Sequence, residues 1–171
     1  MRKRSFRRRL APHQSAQALI EFALILPVML VMVLGGIDIG RALIYGVAVQ
    51  DGAREAARLG ATAAFDTSVT DAGVLQRLID ASSPALSSCA ATTTVNQSCG
   101  GGNWTLNINV LTTSHGAFSS IAAARSDSQF PGSQLTVTAT GTVSMLAGFR
   151  TGWGLSLSPI TARGQAVMVV Q

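Results

Sequence analysis

The chain has 171 residues, 47% of them apolar but only 12% charged, about half the charged share of a soluble globular domain. That length suits one modest domain with an appended element, and the composition excludes both a disordered chain and an ordinary cytosolic enzyme surface. A formal net charge of +5 suggests a nucleic-acid binder until the charges are located.

They sit at one end. Residues 1–16 hold Arg2, Lys3, Arg4, Arg7, Arg8 and Arg9 and no acid, which leaves seven basic and eight acidic groups, a net of −1, on the rest. A near-neutral body argues against nucleic-acid binding beyond the tail. From Phe22 to Ile37 the chain then reads FALILPVMLVMVLGGI, sixteen residues without a charge. Basic residues directly before an apolar stretch mark a membrane segment whose tail lies in the cytoplasm. A cleaved secretory signal is disfavoured, because no small-x-small site with a polar mature start follows the apolar core. Sixteen residues fall below the roughly 18–20 usually wanted for a span, which suits a buried core helix, but the basic flank argues for the membrane. A plain signal anchor holding an unrelated external domain stays open at this point.

The helix is expected to outrun the bilayer. Asp38 and Arg41, Asp51 and Arg54, and Glu55 and Arg58 each stand three apart, as ion-pairing neighbours on a helix do. Gly60 reads as its C-terminal stop. A helix from Phe22 to Leu59 would be roughly 57 Å long against a hydrocarbon core of about 30 Å, so its second half should emerge outside the cytoplasm. Pro27 lacks an amide donor and is expected to bend the helix about two turns in. Gly36-x-x-x-Gly40 matches the small-xxx-small pattern of close helix contact, a match that a Gly-rich chain also produces by chance.

Glu21 stands out, because an ionisable group at the start of a membrane helix is costly and so marks function, unless it simply lies among headgroups. The order of basic leader, small Ala16, four neutral residues and then Glu21-Phe22 resembles a class III signal sequence of type IV pilin-like proteins. More closely, GlnAlaLeuIleGluPheAlaLeuIleLeuPro at 17–27, GlyIleAspIleGlyArg at 36–41 and AlaArgGluAlaAlaArgLeuGlyAla at 53–61 resemble the TadE-like family, pseudopilins of the tight-adherence (Tad/Flp) pilus system. The resemblance is strong over residues 16–61 and rests on Glu21, Phe22, Pro27, Asp38 and Arg41. It implies a prepilin peptidase cutting between Ala16 and Gln17, although the family usually has Gly where Ala16 stands. It also implies that Glu21, then the fifth mature residue, meets the free amine of a neighbouring subunit. A carboxylate and an ammonium compensate each other where either alone would be costly.

Beyond the helix, residues 71–82 place Val74, Leu75, Leu78 and Ile79 on one face, a short amphipathic helix with Asp71 as its cap and Pro84 beyond its end. Residues 85–103 read as a Ser/Thr/Gly/Ala loop carrying Cys89 and Cys99, which are expected to form a disulfide outside the reducing cytosol. Alternation of Trp104, Leu106, Ile108 and Val110 with polar residues predicts a half-buried strand. The same holds for Leu135, Val137, Ala139 and Val143, and for Ile160, Ala162, Ala166 and Met168. Residues 144–159, apolar with Phe149 and Trp153, read either as a packed connection or as a segment dipping into the membrane interface.

The expected class is α+β: a long N-terminal transmembrane helix, then a small domain with a short helix and an antiparallel sheet, the coarse plan of pilin-like proteins. The expected units are a cytoplasmic leader over 1–16, the membrane helix and its extension over 17–61, and an exported domain over 62–171. No catalytic residue, metal ligand, cofactor or small-molecule substrate is assigned. Two histidines, no CxxC pair, no GxSxG and no phosphate-binding GxxxxGK[ST] leave that chemistry without residues. The expected work is structural, in building or supporting a pilus at the bacterial inner membrane. Its expected partners are membrane lipid, prepilin peptidase, other pilin-like subunits and Tad assembly proteins. The alternative is an uncut, tethered exported domain that binds a partner or envelope component.

Overall fold

A computed structural model describes residues 12–91, 97–99, 103–113, 116–143 and 159–171, with side chains from residue 16 onward. The segment 144–158, and with it Phe149 and Trp153, lies outside the described residues, as do His115 and the leader up to residue 11. The architecture is the expected α+β. Helix α1 runs from Pro12 to Ala61, followed by α2 (Asp71–Ala81), β1 (Gln97–Cys99), β2 (Trp104–Thr112), β3 (Gly116–Phe118), α3 (Ile121–Ala124), β4 (Gln134–Val143) and β5 (Ile160–Val169).

The strands form one antiparallel sheet in the order β1-β2-β4-β5, with β3 joining β1 on the outer edge of β2. Register follows side-chain alternation: Ile108 stands opposite Val137, and Val137 opposite Ala166, so the three apolar rows coincide. Their inner face holds Leu106, Ile108, Val110, Leu135, Val137 and Ala139, all fully buried. The opposite face of β4 carries Thr136, Thr138, Thr140 and Thr142, a solvated β-branched row that suits a pleated surface. Packed on the inner face are α2, through Val74, Leu75, Leu78 and Ile79, and the last third of α1, through Val49, Ala53, Ala56 and Ala57. The three strand phases and the apolar face of α2 are as the sequence indicates.

Several local expectations are corrected. Gly60 does not stop α1: it is helical and buried, and a Cβ there would collide with the Leu135 side chain, so its role is close packing. The helix ends one residue later, in a turn where the amides of Thr62 and Ala63 donate to the Leu59 and Gly60 carbonyls at 3.1 Å. Asp71 is not the cap of α2. Thr70 is, its hydroxyl accepting from the Gly73 amide at 3.1 Å. The Asp71 carboxylate, 9% exposed, instead accepts from the amides of Ile121 at 2.7 Å and Ala122 at 3.4 Å. A charged acceptor on the unpaired amides opening α3 joins two elements fifty residues apart. Within the expected loop 85–103, Gln97–Cys99 is a short strand paired with Trp104–Leu106. The Cys89–Cys99 disulfide is present, with a Cα separation of 5.2 Å, and fastens β1 to the segment leaving α2.

A second tie comes from Arg125. Its guanidinium donates to the carbonyls of Ala63, Asp66, Thr67 and Val69 at 2.6–3.3 Å, gathering the turn after α1 onto α3. Only a planar five-donor fork reaches so many acceptors at once.

Candidate functional site

The candidate site is α1 itself. Fifty residues at 1.5 Å each make it about 75 Å long. Between Leu19 and Ile37 its large apolar side chains, the partly buried Leu34 apart, are exposed, including Leu24 at 74% and Met32 at 73%. The most apolar eighteen-residue window has a mean hydropathy of 2.5 and no buried residue. A helix that is apolar all round and packed on nothing is suited to lipid. The chain thus has a single helix, among the described residues, long and apolar enough to span a bilayer.

The residues singled out from the sequence lie along this helix rather than around one centre. Ala16, Gln17, Glu21, Phe22 and Pro27 are all exposed on its first half, and α1 is helical on both sides of Pro27. Asp38 and Arg41 are brought together, with a guanidinium nitrogen 3.9 Å from the carboxylate. Arg41 also sits over the Tyr45 ring, 5.8 Å from its centroid, in a cation–π contact. Asp38 is only 4% exposed although Ile37 and Ile39 on either side of it face outward. Glu21 stands about 25 Å up the helix from this pair. The arrangement has no converging nucleophile and base; its chemistry is that of a graded surface, apolar, then ionic, then packed.

The charged pairs beyond Tyr45 differ from expectation at one position. Asp51 and Arg54 pair at 3.0 Å, as their spacing indicates. Glu55 turns from Arg58 to Arg77 on α2, at 2.6 Å. The Arg77 hydrogen bond and charge, helped by Arg58, hold the Glu55 carboxyl below the usual carboxylate range. Asp66 is also held low, by the Ser68 hydroxyl and amide at 2.6 and 2.8 Å. Glu55, Arg58, Leu59, Thr62 and Arg77 line an open cleft of about 340 Å³ between α1 and α2.

One contributor has no signal in the sequence. Gln50 donates from Nε2 to the Gln165 carbonyl at 2.8 Å and accepts from the Gln165 amide at 3.1 Å. It imitates a strand partner and closes the free edge of β5, and an exposed edge otherwise invites pairing with other chains. Gly164 makes this possible: a Cβ there would run into the Val49 backbone carbonyl, so only glycine lets α1 lie so close to β5. Among the described residues no group of three or more His, Cys, Asp or Glu can hold a metal ion.

The family profile described as TadE-like protein matches residues 16–58, a quarter of the chain. No curated protein and no solved structure matches the chain. The match begins at Ala16, covers the exposed apolar half of α1 and the Asp38–Arg41 pair, and ends at Arg58 inside the packed half. Residues 16–58 of the helix on which this molecule is built are thus similar to the TadE-like family.

Proposed function

We propose that this chain is a single-pass pseudopilin that takes part in building or supporting a Tad-type pilus. Its first half spans the cytoplasmic membrane with the basic leader inside, and the sheet domain stands outside. A prepilin peptidase removes residues 1–16, and the freed amine of Gln17 is neutralised by Glu21 of a neighbouring subunit. The observation that carries this reading is the coincidence of the TadE-like match with a helix exposed and apolar over its first half and packed into a folded domain over its last third. The positive charges directly before the apolar stretch support the orientation. The disulfide supports an oxidising location for the domain.

Its work is mechanical. The continuous helix ties the membrane segment rigidly to the domain, so a push or pull on the domain is felt at the membrane without slack. Glu21→Ala should leave membrane insertion intact while abolishing co-purification with Tad assembly components from solubilised membranes. Unchanged co-purification would remove the assembly role. Ala16 in the place of the usual Gly favours a second reading, an uncut tethered domain that binds an envelope component outside any filament.

A further inference from the structure

Where α1 leaves the apolar region it keeps two opposite faces. Asp38, Ala42, Val49, Ala53 and Ala56, at spacings of three, four and seven residues, form one buried stripe, whose upper part packs on the sheet and α2. Opposite them lie Gly36, Gly40, Leu43, Ile44 and Val47. The three large side chains are 60–67% exposed, and a Cβ on either glycine would meet nothing within 4 Å. No polar side chain interrupts this outward face. One turn further it changes character at once, to Asp51, Arg54 and Arg58, all exposed.

We propose that the outward face from Gly36 to Val47 rests against lipid in the leaflet on the domain's side, with α1 leaning in the membrane and the domain carried on the upper side of the lean. The helix itself shows what it does with an outward face in water: it places Asp51, Arg54 and Arg58 there. The three turns before them instead continue the exposed apolar surface of Leu19–Ile37 without a break. Length calls for the same arrangement. From Phe22, just past Glu21, to Val47 the axis rises about 38 Å, against a hydrocarbon core of about 30 Å. A lean of about 35–40° takes up the excess, and spanning helices tilt within that range.

The direction of the lean follows from which faces are polar. Toward Leu43 and Val47 it brings apolar side chains onto the acyl chains. The opposite lean would press the domain into them, with the Thr136, Thr138, Thr140 and Thr142 row on its outer sheet face. The arrangement also accounts for Asp38, 4% exposed between the outward Ile37 and Ile39. Asp38 and Arg41 are the only charges between Glu21 and Asp51, and they pair at 3.9 Å on the side of α1 away from Leu43 and Val47. An ionic pair below the membrane surface is tolerated where it faces protein rather than hydrocarbon. The inference rests on the anchoring in the function proposed above, and neither leader cleavage nor pilus assembly enters it.

The test places one fluorophore on an introduced cysteine of the full-length chain, reconstituted in phosphatidylethanolamine–phosphatidylglycerol vesicles; Cys89 and Cys99 are joined and stay unlabelled. Leu30→Cys marks the span, Leu43→Cys and Val47→Cys the proposed contact, and Arg54→Cys and Arg58→Cys the water-facing turns. Lipids spin-labelled near the headgroup should quench the labels at Leu43 and Val47 several-fold more strongly than those at Arg54 and Arg58. Iodide on both sides of the vesicle should do the reverse, and lipids spin-labelled deep in the acyl chain should quench the label at Leu30. Iodide quenching at Val47 as strong as at Arg58 would put that face in water and overturn the proposal. A label at Val47 that neither lipid nor iodide reaches would mean that a second copy covers it, and would overturn the proposal too. Lipid quenching at Leu30 without quenching at Val47 is a failure of this contact alone, whereas a failure of anchoring leaves Leu30 out of reach of lipid as well.

Discussion

Residues 16–37 and 49–61 belong to one uninterrupted helix, yet they are built by opposite rules. In the first stretch apolar residues follow one another with no period, and thirteen large apolar side chains from Leu19 to Ile37 stand exposed. Leaving these in water would forgo on the order of 20 kcal/mol of burial, more than the whole stability of an ordinary domain. In the second stretch the inward positions are small, Ala53, Ala56, Ala57 and Gly60, and they recur at the helical period opposite a charged face. Apolar content alone does not separate a membrane span from a core helix. Periodicity does, and so does side-chain size, since small residues let a neighbouring backbone approach.

The difference can be broken from either side. Leu30→Arg places a charge in the exposed apolar half and touches no core contact. It should weaken membrane insertion by about 2.5–3.5 kcal/mol, read as chain lost from the membrane fraction. Full retention would remove the lipid-facing assignment of that half. Gly164→Val is the mirror experiment. Its side chain would meet the Val49 carbonyl, so insertion should be untouched while the domain loses about 3 kcal/mol in a urea titration followed by tryptophan fluorescence. A normal titration would mean that α1 does not lie against β5.

Much of this division was legible in the sequence, because it depends on patterns within a few residues of each other. The strand phases, the face of α2 and the emergence of α1 from the apolar region all follow from period. What could not be read was long-range partnering. Asp71 opens α2 and looks like its cap, but the acceptor is used fifty residues away at Ile121, a contact that only the tertiary fold creates. Glu55 has a suitable arginine three residues on, yet the packing of α2 brings Arg77 closer. Gln50 and Gly164 give no local sign of the edge they close, because a polar residue on a helix and a glycine in a strand each have many uses. The site residues near the N-terminus were marked by a motif rather than by a period, and the family match falls on that stretch.

Smaller effects sharpen the same contrast. Replacing both Cys89 and Cys99 by Ser opens a ten-residue link that holds β1 in place and should cost the domain about 2–3 kcal/mol, with no change in insertion. Identical urea midpoints with and without the disulfide would contradict this. The smallest effect comes from acid. Glu55 is held below its unfolded-state value by Arg77, so its contribution is present above the unfolded pKa and is lost as pH falls through the lower folded one. Melting temperatures of the unaltered chain and Glu55→Gln should therefore converge as pH drops from about 5 toward 3. Curves that stay parallel over that range would mean that the α1–α2 ion pair contributes nothing. Exposure of both partners keeps the expected change small.

The reading of α1 as a processed pseudopilin helix is tested most directly by intact mass and N-terminal sequence of the chain taken from membranes, with and without the prepilin peptidase. The account predicts a peptidase-dependent start at Gln17, which frees the amine that Glu21 of a neighbouring subunit would meet. A chain that still begins at Met1 in the presence of the peptidase would contradict it, and would leave a tethered domain whose partner binds outside any filament.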